Sequence, residues 1–176
     1  MNPDKIKNLF NIVGFQASWW GCILGAKYGL EYIGPILMFG FLVTHFLYFT
    51  KVNNELYLVL IFAIIGTAID SLFIVSGIFD YMGLYFEGVL IAPLWITAMW
   101  CGFVATVNHS LSWFKGRWVA ASILGVYGGP VSYIVGEKFN AIIFLDEFYK
   151  TNLILAIVWG LSIPLIYYVN EKLVLE

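Results

Sequence analysis

Several polar side chains that can do acid–base or ligand chemistry stand inside long apolar stretches of this 176-residue chain. Residues 106–111, TVNHSL, place Asn108 beside His109, while His45 and Asp70 occur in two further apolar stretches. An ionisable group at the centre of a bilayer costs at least about 2.5 kcal/mol on insertion scales, so each needs a structural or functional reason. Imidazole can transfer protons or ligate a metal, and an intramembrane carboxylate can serve a transport pathway.

Three interpretations of His45 and His109 follow from imidazole chemistry. As neutral rings they could join two helices by hydrogen bonds. They could instead be the axial ligands of a haem or co-ligands of another metal, but no HxxxH or ExxH spacing supports this, and no metal site is predicted. One of them could act as a general acid or base, with Asn108 or Gln16 as an orienting donor. Ser110 is about 100° from His109 around a helix, so the two do not form a ready-made dyad.

The composition indicates what kind of structure must position these residues. Hydrophobic residues make up 61% and charged residues only 11% of the chain, which leaves too little charge to cover a soluble globule. The apolar runs are continuous rather than alternating, which excludes a membrane β-barrel. We therefore predict an all-α, polytopic membrane helical bundle forming a single domain over residues 1–176. The formal net charge of -2, with no block of like charges, argues against nucleic-acid binding.

Six apolar segments are long enough, or nearly so, to cross a membrane, which takes roughly 20 residues. The predicted transmembrane helices cover about 9–29, 32–50, 56–78, 88–113, 118–136 and 151–170. Residues 137–150 are half apolar but too short to span, so they are predicted to be interfacial or re-entrant. Six Lys and Arg residues lie on the side of the N-terminus against three on the other. By the positive-inside rule both termini are then cytoplasmic.

Depth along each helix, counted at 1.5 Å per residue, groups the polar side chains into two levels. A cytoplasmic level contains Gln16, His45, Asn108 and His109, which predicts a common polar pocket. Asp70 lies roughly 22 Å from the start of the third helix, in the outer half. Lys27 is the one cation expected to reach Asp70, and the alternative is a hydrogen bond to Tyr133 or to backbone freed by Pro130. The remaining candidates for the pocket are two tryptophans of the fourth helix, Trp95 and Trp100.

Glycines and a proline predict how some of the helices meet. Gly21, Gly25 and Gly29 form a tandem small-xxx-small pattern, which favours close helix packing and offers a face for a homodimer or a partner membrane protein. The stretch containing Gly128, Gly129 and Pro130 predicts a kinked or broken fifth helix. Such a bend could simply improve packing, or it could be a discontinuity whose free backbone groups face a ligand.

The motifs also support a resemblance over nearly the whole chain. They are GFQASWW (14–20), His45, GTAIDSLF (66–73), APLWITAMWCGFVATVNHSLSWF (92–114) and GGPVSYIVGEKFNA (128–141). Together they resemble an uncharacterised bacterial inner-membrane family with no assigned activity. Members of that family often lie near genes for fatty-acid modification and photo-oxidative stress, which is an association that favours membrane lipid chemistry.

The leading hypothesis from the sequence is a bacterial inner-membrane protein that binds or processes a lipid or another apolar small molecule in an intramembrane pocket. The alternatives are a small transporter or channel that uses Asp70 and the broken fifth helix, and a purely structural membrane protein. Haem held by His45 and His109 remains a minor variant.

Overall fold

The computed structural model describes residues 3–50, 54–86 and 88–174. Its helices are α1 (Pro3–Lys27), α2 (Ile33–Thr44), α3 (Glu55–Val75), α4 (Leu94–Val104), α5 (Trp118–Lys138) and α6 (Phe148–Val174). A π-helical turn, His45–Phe49, extends α2, and a 3-10 turn covers Ser112–Phe114. The predicted all-α membrane bundle is confirmed, and α1, α3, α5 and α6 are long and apolar enough to cross a membrane.

The fourth apolar segment is not the single long helix predicted over residues 88–113. Its α-helix, α4, has only 11 residues, and residues 105–111 form a succession of turns. Pro93 stands at the N-cap in an extended conformation, which starts the helix late. Beyond the C-terminal end of α4, a side chain replaces a backbone hydrogen bond of the kind that a helix would make. The Asn11 amide donates to the carbonyl of Ala105.

Two short strands close one end of the bundle, and the sequence did not predict them. Strand β1 (Phe79–Tyr81) pairs antiparallel with β2 (Ile142–Phe144), with Phe79 opposite Phe144 and Tyr81 opposite Ile142. The predicted interfacial or re-entrant piece at 137–150 therefore contains a strand that joins the α5–α6 connection to the α3–α4 connection. This pairing holds the buried side chain of Tyr81 over the bundle.

Helix α5 runs without interruption through Pro130, so of the predicted kink or break at Gly128–Pro130 the break does not occur. The glycines serve packing against α6 instead. A Cβ at Gly125 would lie 2.1 Å from the carbonyl oxygen of Trp159, and one at Gly129 would lie 2.3 Å from its Cγ. Only glycine permits this close approach of α5 to α6. The glycines in this stretch are therefore explained by helix packing, without any break in α5.

The glycines of α1 pack inside the chain. A Cβ at Gly21 would lie 2.7 Å from Cδ1 of Leu37, and one at Gly25 would lie 2.8 Å from the carbonyl oxygen of Leu30. Gly29 follows the end of α1 with a φ of 69°, where a left-handed backbone favours glycine. The face proposed for a homodimer is thus taken up at Gly21 and Gly25 by α2 and the turn before it.

Candidate functional site

A cavity of about 280 Å³ lies among α1, α4, α5 and α6. Helix α5 packs against α6, while α1 packs against α2 and α4, which leaves a gap between α1 and α5. The lining includes Phe15, Gln16, Trp19, Trp95, Met99, Trp100, Phe103, Gly128, Val131, Ser132, Tyr133 and Trp159. Two of these residues, Gln16 and Val131, are exposed on the outer surface, so the cavity opens sideways between α1 and α5.

The cavity extends from near mid-height of the helices that can cross the membrane to the end closed by the strands, where Ile142 of β2 lines it. Gln16 is near the middle of α1, Gly128 is the central residue of α5, and Trp159 is near the middle of α6. Its lining is almost entirely aromatic and aliphatic, and the hydroxyl of Ser132 is already used, because it donates to the carbonyl of Gly128 at 2.8 Å. The space is therefore suited to an apolar guest rather than to an ion.

A stack of rings forms the inner wall of the cavity. Trp100 stacks on Trp159 with ring centroids 4.5 Å apart and an interplanar angle of 9°. Gly66 of α3 makes room for Trp100, since a Cβ there would lie 2.1 Å from the indole ring, and Gly129 makes room for Trp159 in the same way. The shape of the wall is therefore set by glycines behind each ring.

Asp70 lies directly behind this wall and is fully buried. Its Oδ2 accepts the indole N–H of Trp100 at 2.7 Å. Its Oδ1 accepts the hydroxyl of Tyr133 at 2.5 Å and that of Tyr81 at 2.6 Å. Because Trp100 and Tyr133 both line the cavity, the carboxylate fixes the orientation of two wall residues.

The predicted hydrogen bond between Asp70 and Tyr133 is present, but the predicted pairing with Lys27 is not. The Lys27 ammonium lies over the rings of Tyr28 and Phe139, 5.3 Å from each centroid. Three uncharged donors surround Asp70 instead, on β1, α4 and α5. Asp70 is enclosed by these donors, and α5 continues through Pro130.

A second polar cluster, the His–Glu–His cluster of His45, Glu55 and His109, lies at the other end of α3. Nε2 of His45 and Nε2 of His109 each lie 3.2 Å from Oε1 of Glu55. The hydroxyl of Thr50 donates to Oε2 of the same carboxylate. The Glu55 and His45 side chains are fully buried, and that of His109 is 12% exposed. The two imidazole rings meet edge to face with centroids 4.5 Å apart, which leaves no room for a haem between them.

Local irregularities of the backbone bring these three residues together. His45 begins the π-helical turn at the end of α2, and Glu55 begins α3 after the connection. His109 belongs to the turns at 105–111, whose carbonyl at Leu111 accepts the hydroxyl of Tyr167 at 2.7 Å. Wide helical turns of the π type are frequently found at functional sites.

Asn108 does not point into a pocket, although the sequence predicted that it would. Its side chain forms a reciprocal amide pair with Asn170 of α6, with N···O distances of 3.1 Å and 2.7 Å. Asn11 of α1 holds the same turn, since its Oδ1 accepts the Ser110 hydroxyl at 2.5 Å. These amides fix the segment that carries His109.

The structure thus divides the predicted pocket. Gln16, Trp95, Trp100 and Tyr133 line the cavity, and Asp70 supports it from behind. His45 and His109 meet in the separate cluster, and Asn108 joins neither. Sequence reasoning missed Glu55, Thr50, Tyr81 and Asn170. The one available signal was Glu55 itself, an acid at the first position of an apolar helix at the level of two histidines.

The model of a family described as "Protein of unknown function (DUF2878)" matches residues 8–165, which is most of the chain. No curated protein and no solved structure matches.

Proposed function

Because this chain belongs to the DUF2878 family, whose description assigns no activity, its function must be inferred from its own structure, and we propose that it binds an apolar chain of a membrane lipid. The binding site is the cavity between α1 and α5. We infer that the protein lies in the bacterial inner membrane, as its resemblance to an inner-membrane family implies. Both termini are inferred to be cytoplasmic, because more Lys and Arg residues lie on the side of the N-terminus than on the other side.

The observation that carries this proposal is the position and opening of the cavity. Its lining is apolar, it extends from near the middle of the spanning helices, and it reaches the outer surface at Gln16 and Val131. At that depth the surrounding solvent is hydrocarbon, so the molecules that can enter directly are acyl chains and other membrane-dissolved apolar compounds. Entry between two helices requires no passage through water.

The size of the cavity limits what it can hold. Ligand pockets commonly measure about 300–1,000 Å³, and this one, at about 280 Å³, lies just below that range. It therefore accommodates one chain or a compact apolar group, while the rest of the lipid remains in the bilayer. The aromatic and aliphatic side chains of the lining offer the dispersion contacts that hold such a chain.

A cavity-filling substitution tests this proposal. A Cβ at Gly128 has only Leu124 Cδ1 nearby, at 3.8 Å, and Gly128 lines the cavity, so Gly128→Leu adds a bulky side chain at the cavity wall where its first carbon has room. The matched control is Gly40→Leu on α2, an exposed helical position with nothing within 4 Å of the added Cβ. Both changes replace glycine by a better helix former, which keeps both variants folded.

The measurement is lipid retention after purification in a mild detergent, by native mass spectrometry and by extraction with identification of the lipids. We expect wild type and Gly40→Leu to retain an apolar molecule that Gly128→Leu has lost. Equal retention by all three proteins, or none by the wild type after reconstitution with bacterial lipid extract, would overturn the proposal.

A further inference from the structure

We propose that the His–Glu–His cluster of His45, Glu55 and His109 is a binding site for a divalent transition-metal ion. The cluster is separate from the cavity, because Glu55 and Asp70 stand about 22 Å apart along α3 at a rise of about 1.5 Å per residue. The inference therefore does not depend on the proposed lipid binding.

The distances among the three side chains suit a metal ion. Both Nε2 atoms lie 3.2 Å from Oε1 of Glu55, and one ligand atom from each residue lies within 4.8 Å of the others. Zinc is bound at about 2.0–2.1 Å by imidazole and about 2.0–2.2 Å by carboxylate. Two such ligands are then about 3.0 Å apart at a right angle and about 3.4 Å apart at a tetrahedral angle. The observed separation of 3.2 Å lies between these values.

Burial adds a second reason to expect a cation. The Glu55 carboxylate is fully buried, and a buried carboxylate is strongly destabilising unless it is paired or coordinates a metal. Within residues 3–50, 54–86 and 88–174, the basic groups within 4 Å of it are the two imidazoles. Neutral imidazoles contribute no positive charge, whereas a divalent ion bound through their Nε2 lone pairs would.

The hydrogen bonds around the cluster leave the ligand atoms available. The Thr50 hydroxyl donates to Oε2 of Glu55. Nε2 of His45 contacts Oε1, and Nε2 of His109 lies almost equally close to both carboxylate oxygens, at 3.2 Å from Oε1 and 3.3 Å from Oε2. His45 Nδ1 has no hydrogen-bond partner among the described residues, and hence no donor there forces the proton onto Nε2. The Thr50 hydroxyl orients the carboxylate, which is the kind of support usual around ligating side chains in metal sites.

The ligand types indicate which metal. Imidazole favours zinc, iron, copper and nickel, whereas magnesium and calcium prefer sites made of oxygen ligands. Two imidazoles with one carboxylate are the ligand set of several catalytic zinc sites and of non-haem iron sites. Zn²⁺ or Fe²⁺ is therefore the expected class of ion, with coordination positions left over on the side where His109 is 12% exposed.

The test measures metal binding by the full-length protein, purified in detergent without a histidine tag. Bound metals are quantified by mass spectrometry of the elements, and Co²⁺ is titrated as a spectroscopic probe with Zn²⁺ as competitor. The variants are Glu55→Gln and His109→Asn. The control is Glu171→Gln on α6, at the end of the bundle that holds the cluster. The Glu171 carboxylate forms no hydrogen bond or ion pair with the described residues.

We expect about one Zn²⁺ or Fe²⁺ per chain in the wild type and in Glu171→Gln, and Co²⁺ affinity lowered more than tenfold in both cluster variants. His109→Asn changes the partly exposed member of the cluster, so it remains informative if Glu55→Gln does not fold. No binding of Zn²⁺, Fe²⁺ or Co²⁺ by the wild type would overturn the proposal, as would His109→Asn binding metal like the wild type. The cluster would then be a hydrogen-bonded imidazole–carboxylate group only.

Discussion

We expect Tyr133→Phe to destabilise the wild-type protein but to stabilise a variant that lacks the Asp70 carboxylate. In the wild type the hydroxyl donates to Asp70 at 2.5 Å, so Tyr133→Phe deprives a buried carboxylate of one of its three donors. In an Asp70→Leu background the same hydroxyl is a buried donor without its acceptor. Tyr133→Phe should then relieve a cost rather than add one.

The magnitudes follow from the number of donors. Hydrogen bonds to charged groups contribute about 1.5–3 kcal/mol, which is the loss expected for Tyr133→Phe alone. Asp70→Leu leaves Tyr81, Trp100 and Tyr133 without an acceptor. At about 1–3 kcal/mol for each orphaned donor, and with some rotation of the hydroxyls, the loss is roughly 3–6 kcal/mol. In the Asp70→Leu background, Tyr133→Phe should raise the free energy of unfolding by about 1 kcal/mol. The coupling energy between the two positions is then at least about 2 kcal/mol.

The assay is reversible unfolding in mixed micelles of increasing SDS content, followed by tryptophan fluorescence and far-ultraviolet circular dichroism. Tyr127→Phe serves as the control, because Tyr127 is 70% exposed on the outside of α5 and its hydroxyl has no comparable acceptor among the described residues. If Tyr133→Phe destabilises the Asp70→Leu protein as much as the wild type, the carboxylate does not hold this wall of the cavity.

Two further predictions concern packing next to the site, and both are measured by the same unfolding assay. Gly129→Ala should lower the free energy of unfolding by about 1–3 kcal/mol, because its Cβ would lie 2.3 Å from Trp159 Cγ. Gly128→Ala has room and should raise it by up to about 1 kcal/mol; equal effects of the two changes would contradict the packing described. Asn108→Leu should cost about 1–3 kcal/mol by leaving the buried Asn170 amide unpaired. Adding Asn170→Leu should recover part of that loss, and a larger loss in the double variant would show that the amide pair is not the cause.

The sequence predicted the class of the protein, and each of its six apolar segments contains a helix. Long apolar stretches have few alternatives to helix in a membrane, because every backbone group must be hydrogen-bonded internally. Counting residues along helices also placed Asp70 at the level of Tyr133, since the rise per residue is nearly constant. What counting could not give is the direction in which each side chain points around its helix, which depends on how the helices pack.

That missing direction explains the particular errors. Gln16 and Asn108 are at plausible depths for the histidine cluster, but Gln16 turns toward α5 and Asn108 turns toward Asn170. Strands of three residues, such as Ile142–Phe144, carry too little pattern to be recognised in an apolar connection. Glu55 stands just before the helix predicted over 56–78, and an acid at the edge of an apolar run normally marks where a helix leaves the membrane, so its position gave no sign that it is buried.

The two buried carboxylates of α3 differ in the chemistry of the groups around them. Asp70 accepts hydrogen bonds from three groups that cannot bind a metal in their neutral form, two phenols and an indole. Glu55 faces two imidazoles, whose nitrogen lone pairs are metal ligands when the rings are neutral. The described groups that contact Asp70 therefore satisfy its hydrogen bonds but do not offer a set of metal ligands. At Glu55 an ion between the three side chains would replace two long contacts of 3.2 Å by three shorter bonds, and it would supply the positive charge that the buried carboxylate needs.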